Sequence, residues 1–208
     1  MRICRSWSEG CAAAGLPCHG DLHWEDVFAV RREIGRLYSV GCISTDEWCR
    51  SLASALHNVY TPDEVWRINQ AWLLNEYPGV AELIARIHAA GLETACLSNT
   101  NDGHWKLMLR GSNRTGAPPG PVLFPAVQSI RTLHASHLLG IAKPDPAIYR
   151  AVESRTGFAG PDILFFDDLQ ENIDAAAVLN WRTGLIDHTG DTAAQMVRAL
   201  AAHAVPGF

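Results

Sequence analysis

Three polar clusters carry the residue types that handling a phosphoryl group requires. The first, Ser98-Asn99-Thr100-Asn101-Asp102, follows an apolar run ending at Leu97. A hydroxyl, an amide and backbone N–H groups opening a helix form an anion-binding surface; alone, the same residues read equally as a turn that caps the next helix. The second, Gly140-Ile141-Ala142-Lys143-Pro144-Asp145-Pro146, sets one lysine ahead of two prolines that restrict the backbone and so define its position. A single lysine is otherwise most often a solvated surface residue. The third, Phe165-Phe166-Asp167-Asp168-Leu169-Gln170-Glu171-Asn172, ends an apolar stretch in two adjacent carboxylates. Magnesium binds hard oxygen ligands, often through one or two carboxylates plus substrate phosphate, and paired acids raise each other's pKa unless a cation is near. The competing reading makes Asp168 the N-cap of a following helix. A phosphoryl group on magnesium needs all three clusters together.

The elements that must position these clusters alternate. After residue 76 the pattern predicts helices over 78–87, 103–110, 145–156 and 171–179, and strands over 94–97, 131–135, 163–166 and 183–186, with a Gly/Pro-rich loop over 111–121. Such alternation predicts a Rossmann-like parallel sheet with helices on both faces. The clusters then fall at the carboxyl ends of strands, where open parallel sheets bind ligands. Residues 1–75 read instead as helix after helix, with apolar spacing at Val27, Val30, Ile34, Leu37 and at Trp48, Leu52, Leu56, and no convincing strand. Ser44-Thr45-Asp46-Glu47 and Thr61-Pro62-Asp63-Glu64 are start signals for two of these helices. The predicted organisation is a helical cap over 1–75 and an α/β core over 76–208.

The 208 residues, 48% of them hydrophobic, are enough for a core plus a small cap. Seventeen Lys and Arg against 22 Asp and Glu, with no long run of either sign, argue against a nucleic-acid partner. No stretch approaches the roughly 20 apolar residues of a membrane span, and the first residues lack a signal-peptide core, so a cytoplasmic protein is expected. The cysteines form no C-x-x-C pair, which argues against a zinc ribbon, and they read as reduced thiols. His19, Asp21 and His23 would make a metal site only on a helix that Gly20 disfavours. No sequence feature sets an oligomeric state.

At the three clusters the chain resembles the haloacid-dehalogenase superfamily of aspartate-nucleophile hydrolases, in the branch with small-molecule phosphatases and haloacid dehalogenases. Leu97-Ser98-Asn99-Thr100 is similar to the second family motif, Lys143 through Tyr149 to the third, and Phe165 through Asn172 to the fourth. Residues 1–75 resemble the small helical cap of that branch, with Gly41 through Trp48 similar to a stretch often found there. The resemblance implies that Ser98 and Asn99 hold phosphoryl oxygens and that Lys143 neutralises charge on the nucleophile and the transferred group. It also implies that Asp168, with Asp167 beside it, is the magnesium ligand and that Asn172 supports the loop. The implied cofactor is magnesium and the implied substrate a small phosphorylated metabolite; magnesium-type acids suit phosphate esters better than dehalogenation. Stabilising redistributed negative charge is the main task of phosphoryl transfer, so the physics agrees.

The departure lies at the family's first motif, an apolar strand followed by Asp-x-Asp. No Asp precedes Asp21, and neither Asp21 nor Asp26 follows an apolar strand, so neither is expected to be held rigidly enough to attack phosphorus. By resemblance that strand lies mid-sheet, between the strands carrying the second and fourth motifs. Its absence would open the ladder and forgo on the order of 10 kcal/mol of apolar burial, comparable to the net stability of a domain. The expectation is therefore an N-terminally shortened hydrolase, phosphatase-like and inactive as written. The alternative is a non-catalytic phosphate-binding or regulatory relative. A serine-triad hydrolase through Ser98 lacks the Gly-x-Ser-x-Gly elbow.

Overall fold

Capping residues fix where the helices begin. The Ser44 side chain accepts the Glu47 N–H while Glu47 accepts the Ser44 N–H at 2.8 Å, and Thr61 and Glu64 repeat the arrangement. Each box satisfies two donors that helix geometry leaves without partners. Asp145 does similar work ahead of Pro146, accepting the Ala147 N–H at 2.8 Å. The computed structural model describes residues 1–19 and 24–208. Its elements begin, in chain order, with β1 (Arg2–Ile3), α1 (Trp7–Ala13), α2 (Trp24–Ser39), α3 (Thr45–Ala55), α4 (Pro62–Ala71), β2 (Leu73–Asn75), α5 (Val80–Ala89), β3 (Ala95–Ser98) and α6 (Asp102–Leu109). They continue with α7 (Pro125–Ser129), β4 (Thr132–Ala135), α8 (Ser136–Leu139), α9 (Pro146–Thr156), β5 (Leu164–Asp167), α10 (Gln170–Val178), β6 (Arg182–Leu185) and α11 (Thr192–Ala202). Among the described residues no helix is long and apolar enough to cross a membrane, and none of the six cysteines forms a disulfide.

The chain divides into two compact units, one comprising Met1–Asn75, Asn99–Phe124 and Ala135–Gly140, the other Glu76–Ser98, Pro125–His134 and Ile141–Phe208. The first unit is helical around an aromatic core in which Trp7, Tyr38, Trp48, Leu56, Tyr60 and Ile68 are buried. Tyr38 stacks on Trp48 with centroids 4.9 Å apart. The Tyr38 hydroxyl also accepts the Gly103 N–H at 3.0 Å, which ties α6 to α2. Gly103 is required there: a Cβ would lie 2.6 Å from Trp66 Cζ3 and 2.8 Å from Tyr38 Oη. Sequence periodicity gave no strand before residue 76, yet β1 and β2 pair antiparallel, with Arg2 opposite Asn75 and Ile3 opposite Leu73. Strands of two and three residues are too short to show a period of two.

In the second unit β5 and β6 run parallel in the register Leu164↔Arg182 to Asp167↔Leu185. The pleat sends alternate side chains to opposite faces. Phe165 packs edge-on with Tyr149 of α9 and with Trp181, centroids 5.8 Å apart in each case. Leu164 and Phe166 pack against the cluster of Leu83, Leu200 and Val205. β5 therefore has helices on both faces, as the alternation predicts.

The parallel pairing is limited in extent. β3 pairs with β4 and β5 with β6, and among the described residues no ladder joins the two pairs. Ile163 and Asp167 give their carbonyls to Arg182 N–H and Ile186 N–H, each at 2.9 Å. Backbone groups of a strand alternate between its edges, so those of Leu164 and Phe166 point away from β6.

Two outcomes follow from this packing. Gly103→Ala should lower the melting temperature: overpacking costs about 1–3 kcal/mol and outweighs a helix-propensity gain of about 1 kcal/mol. Gly35→Ala, where an added Cβ meets nothing within 4 Å, should raise it. The second concerns acid. Burial holds the His104 and His134 imidazoles below their ordinary value of 6.5, and His134 is fully enclosed. The unfolded chain therefore binds protons that the folded chain resists, so stability is complete above about pH 6.5 and is lost as pH falls below it. Melting temperatures measured from about pH 7 down to about pH 5 should fall, and His134→Gln should flatten that slope.

Candidate functional site

The carboxylate of Asp167 closes β5 on the buried face that it shares with Phe165. Its Oδ2 accepts from Lys143 Nζ at 2.6 Å. Its Oδ1 accepts the Leu169 N–H and Asn172 Nδ2, each at 2.9 Å. The side chains of the ion pair are 9% and 5% exposed for Lys143 and Asp167 respectively. A desolvated pair of this kind holds only with its remaining lone pairs satisfied, and removing one partner costs about 3–5 kcal/mol.

Lys143 comes from the Pro-restricted segment before α9. Its Nζ lies 5.5 Å from the Phe165 ring centroid, within cation–π range. Burial pushes the Cys96 thiol up while the Lys143 charge draws it down, so the ammonium acts at β3 as well as β5. Tyr149 of α9 donates its hydroxyl proton to the Asn172 carbonyl at 3.0 Å and holds the first turn of α10 in place. Burial first, then the Asp167 and Glu171 charges, raise the Tyr149 hydroxyl to about 12, so it stays a donor.

The remaining expected residues are placed differently. Asp168 does not cap α10, whose N-cap is Leu169. Its carboxylate is 45% exposed and lies 3.8 Å from His188 Nδ1. Ser98 closes β3 half-buried, and Asn99 follows it, exposed. Helix capping falls to Asn101, which accepts the His104 N–H at 2.9 Å, so neither Ser98 nor Asn99 is needed for it. The structure thus brings Lys143, Asp167 and Asn172 into one bonded group, with Asp168 beside them in the chain. Sequence reasoning missed Tyr149 and His188 as neighbours of this group. Tyr149 closes the stretch similar to the third motif but was given no role there, and His188 carried no signal. Asp21 and His23 lie outside the described residues. His19 gives its backbone N–H to the Tyr60 hydroxyl at 3.2 Å.

Oxygen ligands for a divalent cation are few. Among the described residues no group of three His, Cys, Asp or Glu converges on a point, and Asp167 is engaged by three donors. The Asp168 carboxylate and the enclosed Asn172 Oδ1, which has no hydrogen-bond partner, are the oxygens left. That donor set fits magnesium only in part, as a cation held mainly by phosphate and water.

Known proteins resemble this chain in sequence and in fold. A family model described as haloacid dehalogenase-like hydrolase matches residues 19–180. Over 139 residues the chain is 27% identical to a protein named Phosphatase MT3486 from Mycobacterium tuberculosis, which covers 67% of this chain and 59% of that relative's length. A HAD family enzyme from Bacteroides thetaiotaomicron superposes with a TM-score of 0.73 at 18% identity, covering 94% of this chain and 92% of that one. The same enzyme solved with magnesium and inorganic phosphate gives 0.69 at 18% identity, over 91% and 90% of the two chains. At these identities the structural likeness speaks for the fold alone. With the family model matching most of its length, the chain belongs to the haloacid dehalogenase-like hydrolases.

Proposed function

We propose that the protein is a phosphatase-type member of this family acting on a small phosphorylated metabolite in the cytoplasm, and that Lys143 is the cation that meets the phosphoryl group. The observation that carries this reading is the buried Lys143–Asp167 pair at the carboxyl end of β5. Buried ion pairs add little stability over apolar packing, so stability alone does not account for a lysine held there. A charge fixed in advance where negative charge will gather does account for it, because a pre-positioned cation needs no reorganisation as the reaction proceeds. Asp167 and Asn172 are positioning residues in this scheme, one fixing Lys143 and the other fixing Asp167. Ser98 and Asn99, at the end of β3, offer a hydroxyl and an amide to the phosphoryl oxygens. Magnesium would be held by Asp168 together with phosphate and water oxygens, where it would offset phosphate charge. The phosphatase named among the relatives and the neighbour solved with magnesium and phosphate support this choice of substrate class.

A second reading, phosphate binding without turnover, is favoured by one observation. Among the described residues Asp167 is the carboxylate set against Lys143, and three donors engage it. Attack through that carboxylate would first have to break the ion pair.

For the polypeptide of 208 residues, calorimetry with inorganic phosphate and magnesium should show saturable binding, weakened about tenfold or more by Lys143→Ala. Turnover of an aryl phosphate separates the two readings: it should be slight, because the Asp167 carboxylate is held by three donors, and its complete absence would favour binding alone. Turnover abolished by Lys143→Ala would instead rule out the binding-only reading, and undiminished phosphate binding in Lys143→Ala would sink both. Stability separates from function in the same series. Lys143→Ala should cost about 3 kcal/mol by stranding Asp167. Lys143→Met combined with Asp167→Asn should recover much of that loss in denaturant titrations while leaving phosphate binding impaired.

A further inference from the structure

In the helical unit one oxygen gathers two cysteine-bearing stretches of chain. Tyr60 lies in the aromatic core, and its hydroxyl donates to the Pro17 carbonyl at 2.9 Å while accepting the His19 N–H at 3.2 Å. Cys11 Sγ lies 3.3 Å from the same oxygen. Cys18, between Pro17 and His19, is therefore pinned from both sides at the atom that Cys11 touches. The His19 ring adds an edge-on contact with Tyr60, centroids 5.2 Å apart.

A local turn makes this approach possible. Gly15, at a φ of +66° that glycine adopts without penalty, follows α1, and the Leu16 N–H bonds the Cys11 carbonyl at 2.9 Å. The chain thereby doubles back and returns Cys18 to the neighbourhood of Cys11. Burial pushes the Cys11 thiol up, the Tyr60 hydroxyl draws it down, and the Cys18 thiol beside it pushes it up again. The surroundings of the two sulfurs differ, since Cys11 is fully buried whereas Cys18 is exposed. An exposed thiol can take an oxidant from solvent, and a second thiol within reach resolves the adduct into a disulfide.

We propose that Cys11 and Cys18 form a reversible dithiol–disulfide pair, oxidised by a small disulfide such as oxidised glutathione, which clasps residues 17–19 to α1. The Cys18 thiolate attacks one sulfur of oxidised glutathione, forming a mixed disulfide and expelling one glutathione thiolate. The Cys11 thiolate then attacks Cys18 Sγ, and the second glutathione thiolate leaves as the protein disulfide forms. Two protein thiols are oxidised, one glutathione disulfide is reduced to two thiols, and the protons lost by the cysteines pass to the released thiolates. Tyr60 Oη is placed to donate to the Cys11 thiolate in the second step. In a compartment kept reducing, a pair of this kind senses redox state and does not staple the fold permanently. The pair is separate from the Lys143 group and does not rest on the function proposed above.

The full chain, equilibrated at about pH 8 with graded mixtures of reduced and oxidised glutathione, is alkylated and cut with trypsin. The fragment between Arg5 and Arg31 contains Cys11 and Cys18 and no other cysteine. Its mass should fall by two hydrogens on oxidation and recover on reduction with dithiothreitol. Half-oxidation should need a glutathione mixture about tenfold or more less oxidising for the folded chain than for the chain in guanidinium, because the fold raises the effective concentration of one thiol at the other. Cys11→Ser should leave glutathione attached at Cys18. Cys18→Ser, at an exposed position, should leave Cys11 reduced under the same mixtures and remains informative if Cys11→Ser fails to fold. The proposal is overturned by glutathione persisting on Cys18 in the unaltered chain, by a fragment that stays reduced throughout, or by a pair oxidised no more readily when folded than when unfolded. Glutathionylation of Cys11 in Cys18→Ser would overturn it equally, since the enclosed thiol would then need no partner to react.

Discussion

The contact between Lys143 and Asp167 organises the carboxyl end of β5. Neither charge would tolerate that degree of burial alone, and each makes the other tolerable only because Leu169 N–H and Asn172 Nδ2 complete the carboxylate. Three chain segments are fixed by this requirement. The lysine needs the Pro-restricted turn before α9, the carboxylate needs the end of β5, and the two amide donors need the first turn of α10. Tyr149 closes the circuit by bonding the Asn172 carbonyl from α9. The result is a cation whose position is set by packing and not by a flexible side chain searching through solvent.

The helical unit relies on polar pins driven into an aromatic core. Tyr38 receives the Gly103 N–H, and His104 reaches the Asn69 carbonyl. Ser136 Oγ accepts the Thr100 N–H at 2.9 Å and donates toward the Ser39 carbonyl at 2.6 Å. Each of these bonds joins residues at least 35 positions apart. Together they draw segments 99–124 and 135–140 into the same unit as residues 1–75. Buried polar groups are costly when unmatched and specify geometry when matched, so these pins select one packing of helices from the many that apolar contact alone would accept.

Family membership and site geometry answer different questions. The match over residues 19–180 assigns a lineage, whereas function resides in sites and not in folds. With β3–β4 and β5–β6 paired separately, the backbone groups of Leu164 and Phe166 face an edge that no described strand covers, next to the charged group that the chemistry would use.

The local settings of Lys143, Asp167 and Asn172 were legible in the sequence because each is fixed by near neighbours. Prolines fix the lysine's backbone, and Asp167 bonds residues two and five positions further along. The strands over 163–166 and 183–186 were legible for a similar reason, since short apolar runs between helical patterns have few other uses; the structure shifts each by a single residue. The division of labour between Asp167 and Asp168 was not legible. Adjacent strand residues point to opposite faces, and which carboxylate turns inward depends on the pleat of β5 and on an ammonium 24 residues away. Nor was the pairing of β1 with β2, whose few residues lie some seventy positions apart, or the gathering of residues 11, 17 and 19 about the Tyr60 hydroxyl. The sequence by itself determined the residue types, the helix starts and the alternation that makes an α/β unit, all of which act over a few neighbouring residues. Tertiary structure alone decided which charges are buried together and which polar groups are enclosed without a partner, because those depend on contacts that no local pattern encodes.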